Sequence, residues 1–314
     1  MIVHKQIDQL PQFRKAVITI GTFDGVHTGH QQIIQQLRDE AISIQGETVI
    51  ITFDPHPRKI IGSTGKKIKL INTLEEKIEL LTLQGIDHLA IVRFTEEFSR
   101  LTCQQYVEEF LIKNFHPHTI IIGYDHRFGK GREGDYHLLE KLSETFGYIL
   151  KEIPVHVLNS ISVSSTRIRD AIENSEIDSA NELLGYSFFF EGRVVEGNRQ
   201  GRSIGYPTAN LNIEDEEKLI PGNGVYAVEC EVRYSGPAGK HLKGMMNIGI
   251  RPTIGGNQRT IEVNIFDFTE DIYGRVLRVY LKKFLRKEKK FSGLDALKDQ
   301  LEKDKLKAWK IWQD

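Results

Sequence analysis

The chain has 314 residues, 39% hydrophobic and 27% charged, an ordinary mix for a folded globular protein. Its formal net charge of -1 provides no broad basic surface for nucleic acid or for an anionic membrane, so any phosphate-binding cations must be local. No stretch is long and apolar enough to span a bilayer, Met1 to Gln6 has no signal-like apolar region, and Cys103 and Cys230 lie far apart without a CxxC or Cys/His metal pattern, so a reducing cytoplasm is expected.

At roughly 100–200 residues per domain, the length predicts two domains. Ala16 to Ile20 is a short apolar run that reads as a buried strand, and it leads into Gly21-Thr22-Phe23-Asp24-Gly25-Val26-His27-Thr28-Gly29-His30. Gln31 to Leu37 follows with helical spacing, and the Thr28/Gln31 pair has capping-box spacing that predicts a helix start near Thr28. A strand, a glycine-rich turn and a helix point free backbone N–H groups at an anion. His27 and His30, three apart, can both face it; the plainer alternative is an ordinary turn with exposed histidines.

Glu47 to Phe53 reads as a second strand, stopped by Asp54-Pro55-His56-Pro57, and residues 58–71 read as loop. A helix is expected from about Thr73 to Gln84, with a Thr73/Glu76 capping box and Gly85 as its stop. His88 to Phe94 is the next strand, Thr102/Gln105 opens a helix, and Thr119 to Ile122 is a strand entering the basic, glycine-rich loop Gly123 to Asp135. A helix to about Phe146, a strand within Tyr148 to Leu158, the turn Ser162 to Arg169 and two short helices before Gly185 complete this half.

Alternating strands and helices predict a parallel sheet covered on both faces, so loops that follow strands gather at its carboxyl edge, where ligands bind. His27 and His30 can donate to phosphate oxygens as charge develops on leaving pyrophosphate. Ser164, Ser165 and Thr166 fit a phosphate-binding N-cap, and only one of Arg167 and Arg169 should face the phosphates, because they are two apart on a helix. Asp24 and Asp125 can hold Mg²⁺, orient a ribose or brace turns; Arg127, Lys130 and Arg132 form either a mobile basic loop over the site or a solvated surface loop. No cysteine or serine here has an evident general base, so the residues predict direct attack of a substrate phosphate on the α-phosphate of ATP, with Mg²⁺ and basic groups stabilising the charge.

Beyond Gly185 six β-like segments follow without intervening helices: Phe188 to Glu196, Thr208 to Ile213, Gly224 to Tyr234, Leu242 to Gly249, Thr260 to Phe268 and Arg275 to Leu285. They predict a small antiparallel barrel, closed by a helix from about Ser292 to Trp312 that packs Leu294, Leu297, Leu301, Leu306, Trp309 and Trp312 on it. Thr208 and Asn210 alternate onto one strand face and can reach one Mg²⁺, and Glu262 can take a proton from a hydroxyl attacking a γ-phosphate. The plainer alternatives are a flexible hairpin with a polar strand, and an exposed barrel face.

Taken in order, Gly21 to His30, Phe53 to Pro57, Gly123 to Gly129, Ser164 to Arg169, Gly201 to Asn210, Pro221 to Ala227, Asn247 to Thr253 and Phe284 to Glu288 resemble the prokaryotic bifunctional riboflavin kinase/FAD synthetase family over nearly the whole chain. The resemblance implies a doubly wound nucleotidyltransferase-type FMN adenylyltransferase domain over residues 1–185 and a six-stranded riboflavin kinase β-barrel over 186–314, both using Mg²⁺ and ATP, with riboflavin, FMN and FAD as substrates and products. It implies that His27, His30 and Arg169 meet ATP phosphates, that Thr208 and Asn210 bind Mg²⁺-ATP, and that Glu262 is the kinase base. It further implies nucleotide or phosphate contacts from Gly21, Phe23, Gly29, Ser164, Ser165, Thr166, Gly201 and Arg202, and flavin contacts from Pro55, His56, Asp125, Arg127, Phe128 and Arg286. The chain departs from the family pattern at Asn264, where a histidine is expected, and at His126, where many members have phenylalanine. Two other readings compete: an adenylyltransferase for another phosphorylated substrate, which leaves Thr208, Asn210 and Glu262 without a purpose, and a flavin-binding regulatory protein without turnover.

Overall fold

A computed structural model describes every residue except 63–67, 154–162, 198–200, 202–203, 234–239, 254–255 and 314, and describes 251–253 and 256–258 by backbone alone. The chain divides into two compact units, Met1–Ser165 and Thr166–Asp314.

The first unit is built on a parallel sheet of β1 (Ile2–His4), β2 (Val17–Ile20), β3 (Thr48–Asp54), β4 (His88–Arg93), β5 (Thr119–Gly123) and β6 (Ile149–Ile153), in the order β1-β4-β3-β2-β5-β6. Its inner strands β2, β3, β4 and β5 are nearly continuous apolar runs because both faces are covered. Side chains alternate between two cores: Ile18, Ile20, Val49, Ile51, Ile120 and Ile122 enter one, while Val17, Ile50, Leu89 and Ile121 enter the other. β3 and β4 build outward from one side of β2, β5 and β6 from the other. The loop after β2, Gly21 to His27, therefore leaves the sheet where the strand order reverses, which is where doubly wound sheets open a ligand crevice.

Three local expectations change here. The amino-terminal residues form β1, an edge strand paired with β4 that is too short to carry a periodic signal. Within the stretch read as loop, Pro57 supplies the first residue of a short helix, Pro57–Ile61, as proline at a helix start can. Finally, Thr28 lies inside the helix Thr28–Ile44, and the cap is His27: its Nδ1 accepts from His30 N at 3.3 Å, while Gln31 Nε2 donates to Val26 O at 2.9 Å. The Thr73/Glu76 and Thr102/Gln105 capping boxes form as the sequence predicts.

The second unit holds a closed antiparallel barrel of β7 (Phe189–Val195), β8 (Ala209–Asn212), β9 (Gly224–Arg233), β10 (Leu242–Thr253), β11 (Gly256–Ile265) and β12 (Val276–Arg286), ordered β10-β11-β8-β7-β12-β9. β11 begins earlier than expected, so Glu262 sits well within its strand rather than heading it. The helix Ser165–Glu173, from its second residue onward, and the helix Ile177–Leu184 belong to this unit, and Asn181 ties the latter to β12 by donating to Leu281 O at 2.9 Å. The terminal helix Leu294–Lys310 packs Leu301, Ala308, Trp309 and the following Trp312 against Ala227, Met245 and Phe266. Leu294 and Leu306 stay 64% and 61% exposed, which corrects their expected packing; the helix turns a narrower apolar stripe to the barrel.

Candidate active sites

In the first unit the site grows from a strained loop. Phe23 and Val26 have φ of 48° and 37°, and Gly25 lies between them at 91°. Positive φ is unusual for a phenylalanine and a genuine outlier for a β-branched valine, so the turn is held by its surroundings. Asp24 does much of that holding. Only 1% exposed, it accepts from Ile71 N at 3.0 Å and Asn72 N at 3.3 Å through Oδ1, and its carbonyl accepts from Ser165 Oγ at 2.9 Å. Of the roles open to Asp24, bracing is the one these bonds describe.

The loop brings His27, His30, Gly21, Phe23 and Gly29 together. The two imidazoles stack with centroids 3.6 Å apart, the Phe23 ring packs 4.9 Å from His30, and a Cβ on Gly29 would press on His27 Nδ1 at 3.3 Å. Burial, followed by His27 and then Lys77 nearby, holds the His30 pKa well below its ordinary value, so His30 is neutral near pH 7. Its Nδ1 is buried with no hydrogen-bond partner among the described residues.

The remaining predicted residues of this half are placed less uniformly. Pro55 follows a cis peptide bond, and His56, 8% exposed, caps Pro57–Ile61 by accepting from Arg58 N at 3.2 Å. Asp125 and Arg127 are exposed, with Arg127 Nη1 3.0 Å from Asp135 Oδ2. Phe128 is buried, stacked on Tyr106 with centroids 5.1 Å apart. The basic loop is pinned, not loose: Phe128 and Gly134 exchange backbone hydrogen bonds, Lys130 N donates to Leu101 O at 2.7 Å, and a Cβ on Gly134 would lie 2.5 Å from the Phe128 ring. Ser164 and Thr166 are exposed, Ser165 bonds Asp24, and on the same helix Arg169 is buried while Arg167 faces outward.

In the second unit a cavity of about 330 Å³ gathers Gly201, Thr208, Asn210, Glu262, Asn264 and Arg286. Barrel register produces the meeting: Glu262 on β11 lies opposite Asn210 on β8 and opposite Asn247 on β10. A Cβ on Gly197 would collide with the Asn210 amide, so a glycine there gives the amide its room. Asn264, in the place expected for a histidine, donates to Pro207 O at 2.7 Å and so anchors the segment just before Thr208. Arg202 lies outside the described residues.

Two buried charged residues were not read from the sequence. Lys77 is 6% exposed on the helix Leu74–Leu83, and Asp304 is 0% exposed on the terminal helix. Asp304 clamps Arg286, with Nε 3.1 and 2.9 Å from its two oxygens and Nη2 at 2.7 Å, and Gln300 Nε2 donates to it at 2.9 Å. Each interrupts an apolar stripe at helical spacing (Leu74, Lys77, Ile78, Leu81; Leu297, Leu301, Asp304, Ala308), which is the signal that could have found them.

Comparison with known proteins gives a consistent assignment. A family model described as FAD synthetase matches residues 9–167, and one described as riboflavin kinase matches 184–312. The bifunctional riboflavin kinase/FMN adenylyltransferase of Escherichia coli K12 is 37% identical over 302 residues, covering 96% of this chain and 94% of that protein. Proteins of the same description from Listeria monocytogenes and Bacillus subtilis are 38% and 35% identical, covering 92% and 94% of this chain and 90% and 92% of their own lengths. A crystal structure described as a macrolide-efflux protein from Streptococcus pneumoniae shares the fold with a TM-score of 0.86 and 32% identity over 97% of each chain. Among the described residues no helix is long and apolar enough to cross a membrane. The chain belongs to the family of bifunctional riboflavin kinase/FMN adenylyltransferases, enzymes of flavin cofactor biosynthesis.

Proposed function

We propose that the two reactions are divided between the barrel and the parallel sheet, riboflavin phosphorylation in the former and FMN adenylylation on the latter, with the functional boundary near residue 185. The observation that supports the division is the barrel cavity, where Thr208, Asn210, Glu262 and Arg286 meet and whose described lining comes entirely from the second unit. There Glu262 takes the proton of a riboflavin hydroxyl as its oxygen attacks the γ-phosphorus of ATP; the β–γ bridging bond breaks and ADP leaves. In the first unit a phosphate oxygen of FMN attacks the α-phosphorus of a second ATP, the α–β bridging bond breaks, and FAD and pyrophosphate result. His27 and His30 donate hydrogen bonds to the phosphates, as do Ser164 and Ser165, and Pro55, His56, Asp125, Arg127 and Phe128 serve the flavin; Thr166 and Arg169, which the resemblance also assigns to phosphate, open the second unit. In the barrel Gly201 and Arg202 serve the nucleotide and Arg286 the flavin.

Mg²⁺ suits the barrel site. Thr208 and Asn210 offer neutral oxygen donors to one cavity, and among the described residues no cluster of three or more histidine, cysteine or acidic groups would hold a metal by itself. That donor set fits an ion that keeps water and phosphate oxygens as most of its ligands. When bound, the ion would neutralise phosphate charge. A cytoplasmic location follows from the soluble substrates. A regulatory protein without turnover finds no support beside the enzymatic relatives.

Incubating the chain with riboflavin, ATP and Mg²⁺ and resolving the flavins tests the reading. FMN should appear first and FAD after it; absence of both would overturn it.

A further inference from the structure

We propose that Lys77 is a substrate-contacting residue of adenylyl transfer, its buried ammonium held ready for a phosphate oxygen of ATP. The proposal rests on assigning adenylylation to the first unit.

A lysine is almost never 6% exposed unless its charge is matched. Among the described residues, the groups that act on Lys77 are Asp24, Asp54 and Lys59, and they act through space. The Asp24 Oδ1 already accepts from Ile71 and Asn72, so that carboxylate is partly spent on backbone. Those same bonds fix where Lys77 sits. Ile71 and Asn72 lead into Thr73, which caps the helix, and Lys77 is in its first turn, with Lys77 N donating to Thr73 O at 3.0 Å. Asp24 thus ties the helix that carries Lys77 to the loop that carries His27 and His30, and Asp54 ends β3 beside β2.

Lys77 brings a charge to the phosphates that the neighbouring histidine does not. His30 is electrostatically coupled to Lys77 and is neutral near pH 7, so it donates a hydrogen bond but brings no charge. A triphosphate brings several negative charges and needs a permanent cation in a partly desolvated place. Burial lowers the Lys77 pKa, with Lys59 adding to the effect and the two aspartates opposing it; an arriving phosphate would oppose it further and so would bind favourably. A lysine that only packed its stem would snorkel its head to water; here the head stays in.

The test uses the full chain and three readouts: FMN-to-FAD turnover, inhibition of that turnover by inorganic pyrophosphate, and thermal unfolding. Lys77→Met keeps the stem and removes the charge; Lys77→Arg keeps the charge. Lys77→Met should lower FMN-to-FAD kcat by roughly 10²-fold and weaken pyrophosphate inhibition by about 10-fold or more. Lys77→Arg should recover both to within about 10-fold of the parent. Unchanged turnover and unchanged pyrophosphate inhibition in Lys77→Met would overturn the proposal. So would equal losses in both variants accompanied by a lowered melting temperature, which would mark Lys77 as a brace. If the parent chain itself makes FMN but no FAD, the assignment beneath the proposal fails, and that outcome is distinct from an active parent with an equally active Lys77→Met.

Discussion

The two sites are built by different means. In the barrel, Glu262, Asn210 and Asn247 meet because β11, β8 and β10 are in register, so their positions follow from backbone hydrogen bonds that also make the core. In the parallel-sheet unit, the loop after β2, the segment Ile71–Asn72 and Ser165 meet at one buried residue, Asp24, whose Oδ1 accepts from the adjacent Ile71 N and Asn72 N and whose backbone carbonyl accepts from Ser165 Oγ. Register is robust to change at any single side chain. A hub is not: removing the Asp24 side chain takes away the bonds from Ile71 and Asn72 that hold their segment to the loop. The barrel site should therefore lose chemistry when its reactive group changes and keep its shape, whereas the sheet site should lose both together when its hub changes.

The sharpest separation comes from Glu262→Gln. The amide keeps the size of the side chain and its place opposite Asn210 but cannot accept the hydroxyl proton. Riboflavin phosphorylation should fall by about 10²–10⁴-fold, the range for a general base, while FMN-to-FAD conversion holds. Loss of both activities would break the division between units. His30→Ala is the mirror experiment. FAD formation should drop by roughly 10²–10³-fold, as for a lost donor at a charge-developing site, with FMN formation retained. Separate assays starting from riboflavin and from FMN read both outcomes.

How much of this was legible in the sequence follows the same contrast. The inner strands of the sheet came through because each is a short apolar run, whereas the edge strand β1 was too short to be read, and two of three capping boxes formed as spaced. The third failed for a physical reason: at Gly21 to His30 the imidazole of His27 competes for the cap and wins, which Thr28 spacing cannot reveal. Thr208, Asn210 and Glu262 were readable because alternation along a strand fixes which side chains share a face. Their meeting in one cavity was not, since it depends on which strands pair. Lys77 and Asp304 were hidden by a habit of reading helices: a charge inside an apolar stripe looks like an interruption. In both helices it marks a buried charge.

Asp304 tests whether the terminal helix is part of the barrel site. It is fully buried, and its carboxylate takes three contacts from Arg286, which lines the cavity. Asp304→Ala would leave a guanidinium without its counter-charge and Gln300 without its acceptor. Breaking a buried pair costs about 3–5 kcal/mol, and the low end applies because the Arg286 side chain is 18% exposed. Chemical denaturation of the variant should show that loss. A riboflavin KM that rises while kcat changes little would show that Asp304 positions a binding arginine; an unchanged KM beside the stability loss would confine it to packing.

The smallest effect is expected at the far edge of the sheet unit, where β1 is held partly by a histidine pair. His4 Nε2 and His88 Nδ1 are 3.1 Å apart, Phe13 packs against both rings, and Glu47 Oε2 lies 3.8 Å from His88 Nε2. Burial, and then the neighbouring His88, lowers the His4 pKa from 6.5. The unfolded chain therefore takes up the proton more readily than the folded one. The stability tied to neutral His4 is fully present above pH 6.5 and drains away as pH falls from there through the lower folded pKa. His4→Gln keeps a side chain able to donate to His88 but removes this titration. Its melting temperature should fall less between pH 7.5 and 5.5 than that of the parent. The difference should stay within about 1 kcal/mol, or roughly 2–4 °C, because His4 is only partly buried. An identical pH slope in both proteins would show that the edge strand does not sense this proton, and would leave the acid response of the unit to groups elsewhere.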